Sequence, residues 1–240
     1  MLTPKRIYVE EMLDAGVGTD DDVSENLADL RFINRRLGGA GVVLTALDNE
    51  LSSGAPASLS LLDIGTGSAD IPNAVSKRWR SKGIATQIAA LDLSSRNLRI
   101  ARSRLGIEPG IELVQANAMH LPFAPKSFDF VTASLFLHHF TEDEIKRLLE
   151  GFVRVARRSV IVNDLARSFV PYYFFRAFGW LFTKSFLTRN DGAISVLRGF
   201  TAAELRDLGA QASLGRFVVS SVFPYRLLMI VDCRQASLLS

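Results

Sequence analysis

The sequence predicts an α/β protein built on a doubly wound, mainly parallel sheet of seven strands. From residue 58 onward, short apolar runs bounded by turn residues alternate with helical patterns, which is the order that builds a parallel sheet covered by helices. Hydrophobic residues make up 48% of the 240-residue chain, enough to fill such a core. The last two strand-like runs lie close enough to form a hairpin, so we expect an antiparallel final strand.

The first 55 residues predict an N-terminal helical cap. Apolar residues recur every three or four positions over residues 23–37, and Gly38 follows as a helix stop. A second apolar stretch at 42–51 leads into a linker of small residues. We expect one domain over residues 1–240, with the cap at 1–55, a core at 58–165, a lid insertion at 166–200, and a closing helix and hairpin at 201–240.

The core elements follow in order. Ser94 is a predicted N-cap, and Thr141 to Glu144 form a predicted capping box. The predicted strands cover 59–64, 84–93, 111–114, 128–134, 159–162, 216–222 and 226–231, and the predicted helices cover 71–79, 94–105, 141–155 and 201–212.

Composition excludes several classes of protein. The single cysteine, Cys233, excludes a disulfide framework and a multi-cysteine zinc site and favours a reducing compartment. Acidic residues at the N-terminus stand where a signal peptide needs an apolar run, so a cytoplasmic location is expected. No metal is expected, because carboxylates and histidines show no ligand spacing along the chain.

Charge is unevenly distributed. Residues 1–30 carry eight acidic and two basic side chains, and residues 150–240 carry twelve basic and six acidic ones. The basic residues are scattered singly rather than in a stripe, so no nucleic-acid partner is expected. The basic half is compatible with an anionic substrate or a membrane surface.

The residues that follow the strands identify the ligand-binding edge of the sheet, because open α/β sheets bind ligands at the carboxyl ends of their strands. Gly65 and Gly67 follow the first strand, and Asp92 ends the second. A dinucleotide-binding fingerprint would need glycine where the chain has Asp70, and Asp63 would repel a pyrophosphate. A cationic or zwitterionic ligand fits this edge better.

Several motifs in order resemble those of class I S-adenosylmethionine-dependent methyltransferases. Leu61–Ala69 resembles their glycine loop, and Ala90–Ser94 resembles the acidic end of their second strand. Gln115–Phe123 and Ser127–Asp129 are similar to the next two landmarks. Leu137–Phe140 is similar to a loop of the ubiquinone/menaquinone-methyltransferase-like branch of small bacterial enzymes. The resemblance covers residues 58–165 and implies a Rossmann-like methyltransferase fold.

The resemblance implies S-adenosylmethionine as cofactor, with S-adenosylhomocysteine as product. Asp63 is expected near the ammonium group of the cofactor and Asp92 at its ribose hydroxyls. Asn117 stands where the family usually has aspartate, which keeps an acceptor but removes a charge. Asn117 could instead be a turn residue, Met119 a core residue, and the two aspartates plain strand-end carboxylates. The implied cofactor positions are Asp63, Gly65, Thr66, Gly67, Ser68, Asp92, Leu93, Asn117, Ala118, Met119 and Ser134.

A phenol or enol acceptor must lose a proton, which requires a base with a pKa near neutrality. His138 and His139 lie between the fourth strand and a capped helix, and either is a candidate catalytic base. The alternative for each is a structural role, as a loop histidine whose ring is hydrogen-bonded to the backbone. His120 is more remote. The candidate substrate-binding residues are Asp164, Tyr172, Tyr173, Phe178 and Asp191.

Residues 169–186 contain nine of the 22 aromatic side chains. We expect an aromatic lid over an apolar acceptor; membrane contact and core or dimer packing are the alternatives, and a homodimer is possible. The sequence therefore predicts methyl transfer to oxygen, slightly favoured, or carbon of an apolar phenolic, enolic or quinol molecule, in secondary metabolism or quinone-type biosynthesis. A cofactor-binding module without turnover and a nucleic-acid methyltransferase remain the alternatives.

Overall fold

A computed structural model describes residues 3–36, 38–52, 54 and 56–234 of the chain. The sheet has seven strands in the order β3-β2-β1-β4-β5-β7-β6. Strands β1 to β5 are mutually parallel, and β7 runs antiparallel to both β5 and β6. The predicted sheet is confirmed. Its strands are β1 Ser58–Ile64, β2 Ala85–Asp92, β3 Ile111–Gln115, β4 Phe128–Ser134, β5 Ala156–Leu165, β6 Phe217–Val222 and β7 Arg226–Asp232.

Helices cover both faces of the sheet because its central strands are apolar on both sides; β1 is buried at all but its first residue. One core cluster lies against α5 and α8, and a second packs Trp79 of α3 and the inner side of α2 on the opposite face. The helices are α1 Asp20–Arg36, α2 Gly39–Glu50, α3 Asp70–Ser81, α4 Ser95–Leu105, α5 Glu142–Val155, α6 Phe169–Phe182, α7 Phe186–Arg198 and α8 Ala202–Gln211.

Most predicted boundaries differ from the observed ones by a residue or two, and those of β5 and α1 differ by three. Strand β5 extends beyond residues 159–162 at both ends: Ala156 pairs with Phe128 of β4, Asn163 with Leu228 and Asp164 with Leu227. Helix α1 begins three residues before Val23, at three aspartates that suit the positive end of a helix dipole. Position 37, the predicted end of that helix, and position 55, the predicted end of the cap, lie outside the described residues.

The lid insertion consists of α6 and α7, which pack against each other. Helix α1 lies on α7, where Val23, Leu27 and Leu187 form a small apolar cluster. The acidic side chain of Asp29 accepts hydrogen bonds from the backbone N–H groups of Lys184 and Ser185, both at 2.9 Å. The cap and the lid therefore together cover the carboxyl edge of the sheet.

Within the described residues, no helix combines the length and the apolar character that crossing a bilayer requires. The most apolar helix, α6, has 14 residues. A spanning helix needs about 20.

Candidate active site

The glycine loop after β1 lines a small polar cavity at the carboxyl edge of the sheet. Gly65 and Gly67 have φ angles of +65° and +54°, a region that side chains disfavour. A Cβ on Gly65 would overlap the ring of Phe136, whereas one on Gly67 would only touch Leu27 of α1. The loop can therefore pass between the sheet and the helices that cover it only with glycine at these turns. The cavity, of about 80 Å³, is lined by Leu27, Leu30, Arg31, Asn34, Asp63, Ile64, Gly65, Thr66, Gly67, Ser68, Asp70, Ile71, Ser134 and Leu135.

Two carboxylates dominate the chemistry of this edge. Asp63 is buried and accepts a 2.6 Å hydrogen bond from the Thr132 hydroxyl. Burial in the sheet raises the pKa of Asp63 to about 7, against the lowering effect of that bond. Asp92 is also buried, and burial raises its pKa although backbone N–H groups of Ser94 and Gly67 donate to it.

These residues fit an adenosine sulfonium cofactor. Asp63 lines the cavity and suits an ammonium group. Asp92 receives three donors, from Gly67, Ser94 and Asn97, at 2.8, 2.9 and 3.3 Å. A ribose hydroxyl can donate to such a carboxylate in competition with these donors. Leu93, 66% exposed beside Asp92, offers an apolar surface for a flat base.

A second, larger cavity of about 310 Å³ lies under the lid. Its wall is mainly apolar and comes from the cap, the lid and the loops after β4 and β5. Leu30 of α1 and Leu135, directly after β4, line both cavities, so the two chambers adjoin. Leu135 has a φ of +54°, a strained conformation for a branched side chain of the kind that functional sites retain.

His138 and Asp164 form a buried pair at the wall of the larger cavity. The Nδ1 atom of His138 lies 2.7 Å from Oδ1 of Asp164, and its backbone N–H donates to Oδ2 at 3.3 Å. Burial acts to raise the pKa of Asp164, but the charge of His138 and its hydrogen bond hold that pKa below its ordinary value. An ionised carboxylate can only accept, so Nδ1 carries a proton, and in the neutral ring the lone pair then lies on Nε2.

His139 has a different environment. Its Nδ1 atom lies 2.7 Å from Oδ2 of Asp14, and its ring stands 4.1 Å from that of His138. Burial acts to lower the pKa of His139, but the bond to Asp14 and the charges of Glu11 and Asp14 outweigh burial and raise it. A histidine that retains its proton is a poorer base, so the geometry favours His138 over His139.

An N-terminal strap, residues 3–14, closes the cavity beside the two histidines. Oε1 of Glu11 lies 3.7 Å from Nε2 of His138 and 4.0 Å from Nε of Arg198. This oxygen is buried and has no hydrogen-bond partner in the described part of the chain. Arg198 of α7 ties the strap to the histidine loop, donating to the carbonyl oxygens of Val9, His138 and His139.

Glu11, His138 and His139 also bring potential metal-ligand atoms within 4.8 Å of one another. No spacing along the sequence predicts this group, because Glu11 is more than 120 residues from the histidines. The Arg198 guanidinium beside Glu11 already supplies positive charge there. The expectation that the site holds no metal stays a prediction.

Comparisons with known proteins address the same region. A family model described as "Methyltransferase domain" matches residues 61–159. The chain is 31% identical to the ubiquinone/menaquinone biosynthesis C-methyltransferase UbiE of Xylella fastidiosa over 172 residues, 65% of this chain and 66% of that protein. It is 32% identical to the demethylmenaquinone methyltransferase of Staphylococcus epidermidis over 52% of this chain and 54% of that protein. The chain belongs to the class I S-adenosylmethionine-dependent methyltransferases.

Solved structures share the fold. Human N-acetylserotonin methyltransferase in complex with S-adenosylmethionine aligns with a TM-score of 0.64 and 13% identity, covering 95% of this chain and 62% of that one. Magnesium protoporphyrin IX methyltransferase from Synechocystis, with bound S-adenosylhomocysteine, aligns with a TM-score of 0.55 and 15% identity, covering 81% and 83%. These neighbours show the shared fold, and S-adenosylmethionine is the cofactor of the methyltransferase family to which the chain belongs, as the sequence predicts.

The cofactor positions predicted from the sequence fall along one edge. Asp63, Gly65, Thr66, Gly67, Ser68 and Ser134 line the smaller cavity. Ser134 accepts a hydrogen bond from Asn163 at 2.9 Å. Asn117 caps the short 3-10 turn at Ala118–His120, because its side chain accepts from the Met119 N–H at 2.9 Å. Ala118 and Met119 pack with the core cluster on the α5 side of the sheet.

The structure places three of the candidate substrate-binding residues outside the wall of the cavity under the lid. Asp164 does not line the cavity; it is fully buried inside β5 and holds His138 from behind. Tyr172 and Tyr173 are not in the cavity wall either, because the helical period of α6 turns Val170, Pro171, Phe174 and Phe175 toward it instead. Asp191 does line the cavity, and both of its oxygens accept backbone N–H groups of the strap, from Met12 and Leu13. The side chain of Phe178 lies outside the described part.

Sequence reasoning missed Glu11, Asp14, Arg198 and Arg226, which come from segments far apart in the chain. Arg226 begins β7, is buried, and lines the acceptor cavity. Burial lowers the pKa of Arg226 to about 10, so its guanidinium stays charged at neutral pH. Its Nη1 atom has no hydrogen-bond partner among the described residues. The sequence offers one signal for these contacts, the excess of acidic residues in 1–30 and of basic residues in 150–240. In the structure, basic Arg198 lies within 4.0 Å of Glu11 and 3.7 Å of Asp14.

Proposed function

We propose that this methyltransferase moves the methyl group of S-adenosylmethionine to an apolar small molecule whose hydroxyl group is ionised by His138. The proposal rests on two cavities that adjoin at Leu30 and Leu135. His138 lies in the wall of the larger cavity, and Asp164 binds it from behind. An apolar chamber of about 310 Å³ suits a molecule of a few fused or substituted rings.

The cofactor, when bound, supplies a methyl group already activated by its sulfonium charge. The protein then has to align the acceptor and remove its proton. Asp164 fixes the His138 tautomer so that Nε2 can take the proton, and it stabilises the imidazolium that forms. Glu11, 3.7 Å from Nε2, adds a second negative charge beside that cation. The cap and the lid supply much of the apolar wall of the chamber.

Arg226 suggests the polarity of the acceptor. Arg226 lines the cavity, and its buried Nη1 atom has no hydrogen-bond partner among the residues that the structure describes. A buried charged donor left without a partner is costly. We therefore propose an acceptor that offers a carbonyl or carboxylate oxygen to Arg226 and a hydroxyl to His138. A hydroxylated aromatic or enolic ring with an oxo substituent satisfies both.

Transfer to carbon is a second candidate, because the two named relatives are a C-methyltransferase and a demethylmenaquinone methyltransferase. Both outcomes start from the same ionised hydroxyl: the oxygen itself is methylated, or the negative charge is delocalised to a ring carbon that is methylated. The matched segments span only 66% and 54% of those relatives, so their substrates come to this chain as proposals.

A methyl-transfer screen tests the proposal. Purified protein is incubated with labelled S-adenosylmethionine and matched pairs of phenols, enols and quinols, each with and without an oxo substituent. We expect methylated products from ring hydroxyl compounds, with higher kcat/KM for the oxo members, and mass spectrometry assigns the methyl to oxygen or carbon. Tight cofactor binding with no product from any ring hydroxyl compound would favour a binding module without turnover. Salt-sensitive methylation of RNA or DNA would favour the nucleic-acid alternative.

The setting of the reaction is also a proposal. A role in secondary metabolism or quinone-type biosynthesis is supported by the named relatives, and a cytoplasmic location by the single cysteine, which is buried. An apolar small molecule remains the expected partner.

A further inference from the structure

Helix α6 carries a largely apolar face that points away from the protein, with the exposed Arg176 among its aromatic and aliphatic side chains. The helix packs against α7, and the positions left exposed recur at helical spacing: 169, 173 and 180 in one row, 170 and 181 in the next. Soluble proteins seldom expose contiguous aromatic and aliphatic side chains without a binding role. The exposed fractions are 38% for Phe169, 59% for Val170, 60% for Tyr173, 64% for Trp180 and 54% for Leu181.

The charged side chains of the segment that carries this face are all basic. Residues 165–190 contain four basic side chains and no acidic one. Arg167 is buried and bonded to Glu204, whereas Arg176, Lys184 and Arg189 are exposed. Aromatic side chains flanked by exposed cations are the combination that binds at the headgroup level of anionic membranes.

We propose that the exposed face of α6 docks on an anionic lipid surface. A second copy of the chain is a poorer occupant, because a two-fold contact through this face would bring its cations toward their own copies with no acidic partner in the segment. Tyrosine and tryptophan, with one polar atom each on an apolar ring, suit the boundary between lipid and water.

The face is continuous with the acceptor cavity. Val170 is exposed on α6 and also lines the cavity, and its neighbour Pro171 lines the cavity too. A lipid-like acceptor held in the membrane could therefore pass along apolar side chains into the chamber. The docking itself rests on the surface alone and does not depend on the proposed reaction.

The two tryptophans make docking directly measurable. Trp79 is fully buried in the core, so a change in emission on adding vesicles reports Trp180. With phosphatidylglycerol vesicles we expect a blue shift, co-sedimentation of the protein, and release at high salt, since exposed charges are screened. The protein should bind phosphatidylcholine vesicles at least tenfold more weakly, because these vesicles carry no net charge to attract its basic side chains. In Trp180→Phe, binding should persist without the blue shift.

Variants localise the contact. Tyr173→Asp combined with Leu181→Asp should weaken phosphatidylglycerol binding by at least about tenfold, because it puts charge into the apolar face. Ile107→Asp, at a 99% exposed site after the end of α4, is the matched control and should bind normally. The proposal is overturned if wild-type protein neither shifts nor sediments, if the double variant binds like the control, or if the shift appears without vesicles and follows protein concentration, which would indicate self-association.

Discussion

Asp63 illustrates how one buried side chain can control cofactor binding. Its carboxyl group lies inside a sheet, and burial raises its pKa to about 7. The folded chain is therefore more stable with Asp63 protonated, and this contribution is lost as pH rises from the ordinary carboxyl range through about 7. A cofactor ammonium beside Asp63 has the opposite preference, since it favours the ionised form.

Cofactor affinity should consequently rise with pH. Between about pH 5.5 and about pH 7, below the titration of a typical α-amino group, we expect the Kd for S-adenosylmethionine to fall about tenfold. Calorimetry should also detect proton release from the protein in this range. Asp63→Asn should bind more weakly at pH 7 and lose the pH dependence; an unchanged pH profile in that variant would exclude Asp63 as the cause.

Glu11 supplies the next test at the level of a residue. Glu11→Gln keeps the shape of the side chain but removes the charge that faces Nε2 of His138. We expect kcat to fall about 10- to 100-fold, the size of a charged hydrogen bond, with cofactor Kd unchanged. The exposed neighbour Glu10→Gln is the matched control. Equal kcat in the two variants would show that Glu11 does not assist the histidine.

Arg226 tests acceptor recognition. Arg226→Lys keeps the positive charge, and Arg226→Gln removes it. If the lysine variant stays active, the site tolerates a substitution at this position, and loss of folding does not explain the effect of glutamine. For oxo-substituted acceptors, we expect KM to rise about tenfold or more in Arg226→Gln, the cost of leaving one polar group unpaired. For the matched acceptors without the oxo group, KM should change little. A parallel rise for both members of each pair would contradict the assignment.

At the level of elements, the strap and α7 form one unit of the site. Both oxygens of Asp191 hold backbone N–H groups of the strap, and Arg198 holds Val9 and both histidine carbonyls. Arg6 adds a bond to the carbonyl of Phe140 and lies 4.4 Å above the Phe200 ring. The strap therefore delivers Glu11 and Asp14 to a fixed place.

Releasing the strap should expose it to protease and slow the reaction. In Asp191→Ala two backbone donors lose their acceptor, and we expect limited trypsin cleavage within residues 5–6 to speed up about tenfold or more. Because Glu11 leaves with the strap, kcat should fall in parallel. Asp207→Ala on the exposed side of α8 is the control. Cleavage at equal rates in both variants would mean that Asp191 does not hold the strap.

The elements also show why boundaries are harder to predict than order. Capping residues act locally, so Ser94 and Thr141 predicted the beginnings of α4 and α5 correctly. Strand β5 was predicted too short because its polar ends look like loop in the sequence, yet Asn163 and Asp164 pair with the antiparallel strand β7 and are buried. A tertiary neighbour, absent from local sequence, decides such ends.

At the scale of the whole molecule, the two halves of the site differ in how well sequence predicts them. The cofactor side is built from short motifs after β1, β2 and β3, so neighbouring residues identify it. The acceptor side combines the strap, the loop after β4, α7 and β7, and no local pattern links Glu11 with His138 or Arg226. The single-domain organisation stays a prediction from the alternation of elements.

The most direct measurement of the central claim compares cofactor binding and turnover in wild-type protein and His138→Ala, with His120→Gln, at an exposed turn, as control. We predict that all three bind S-adenosylmethionine with similar Kd, that the control turns over normally, and that kcat of His138→Ala falls about 100- to 10,000-fold. Wild-type turnover in His138→Ala, or wild-type protein that does not bind the cofactor, would contradict the account.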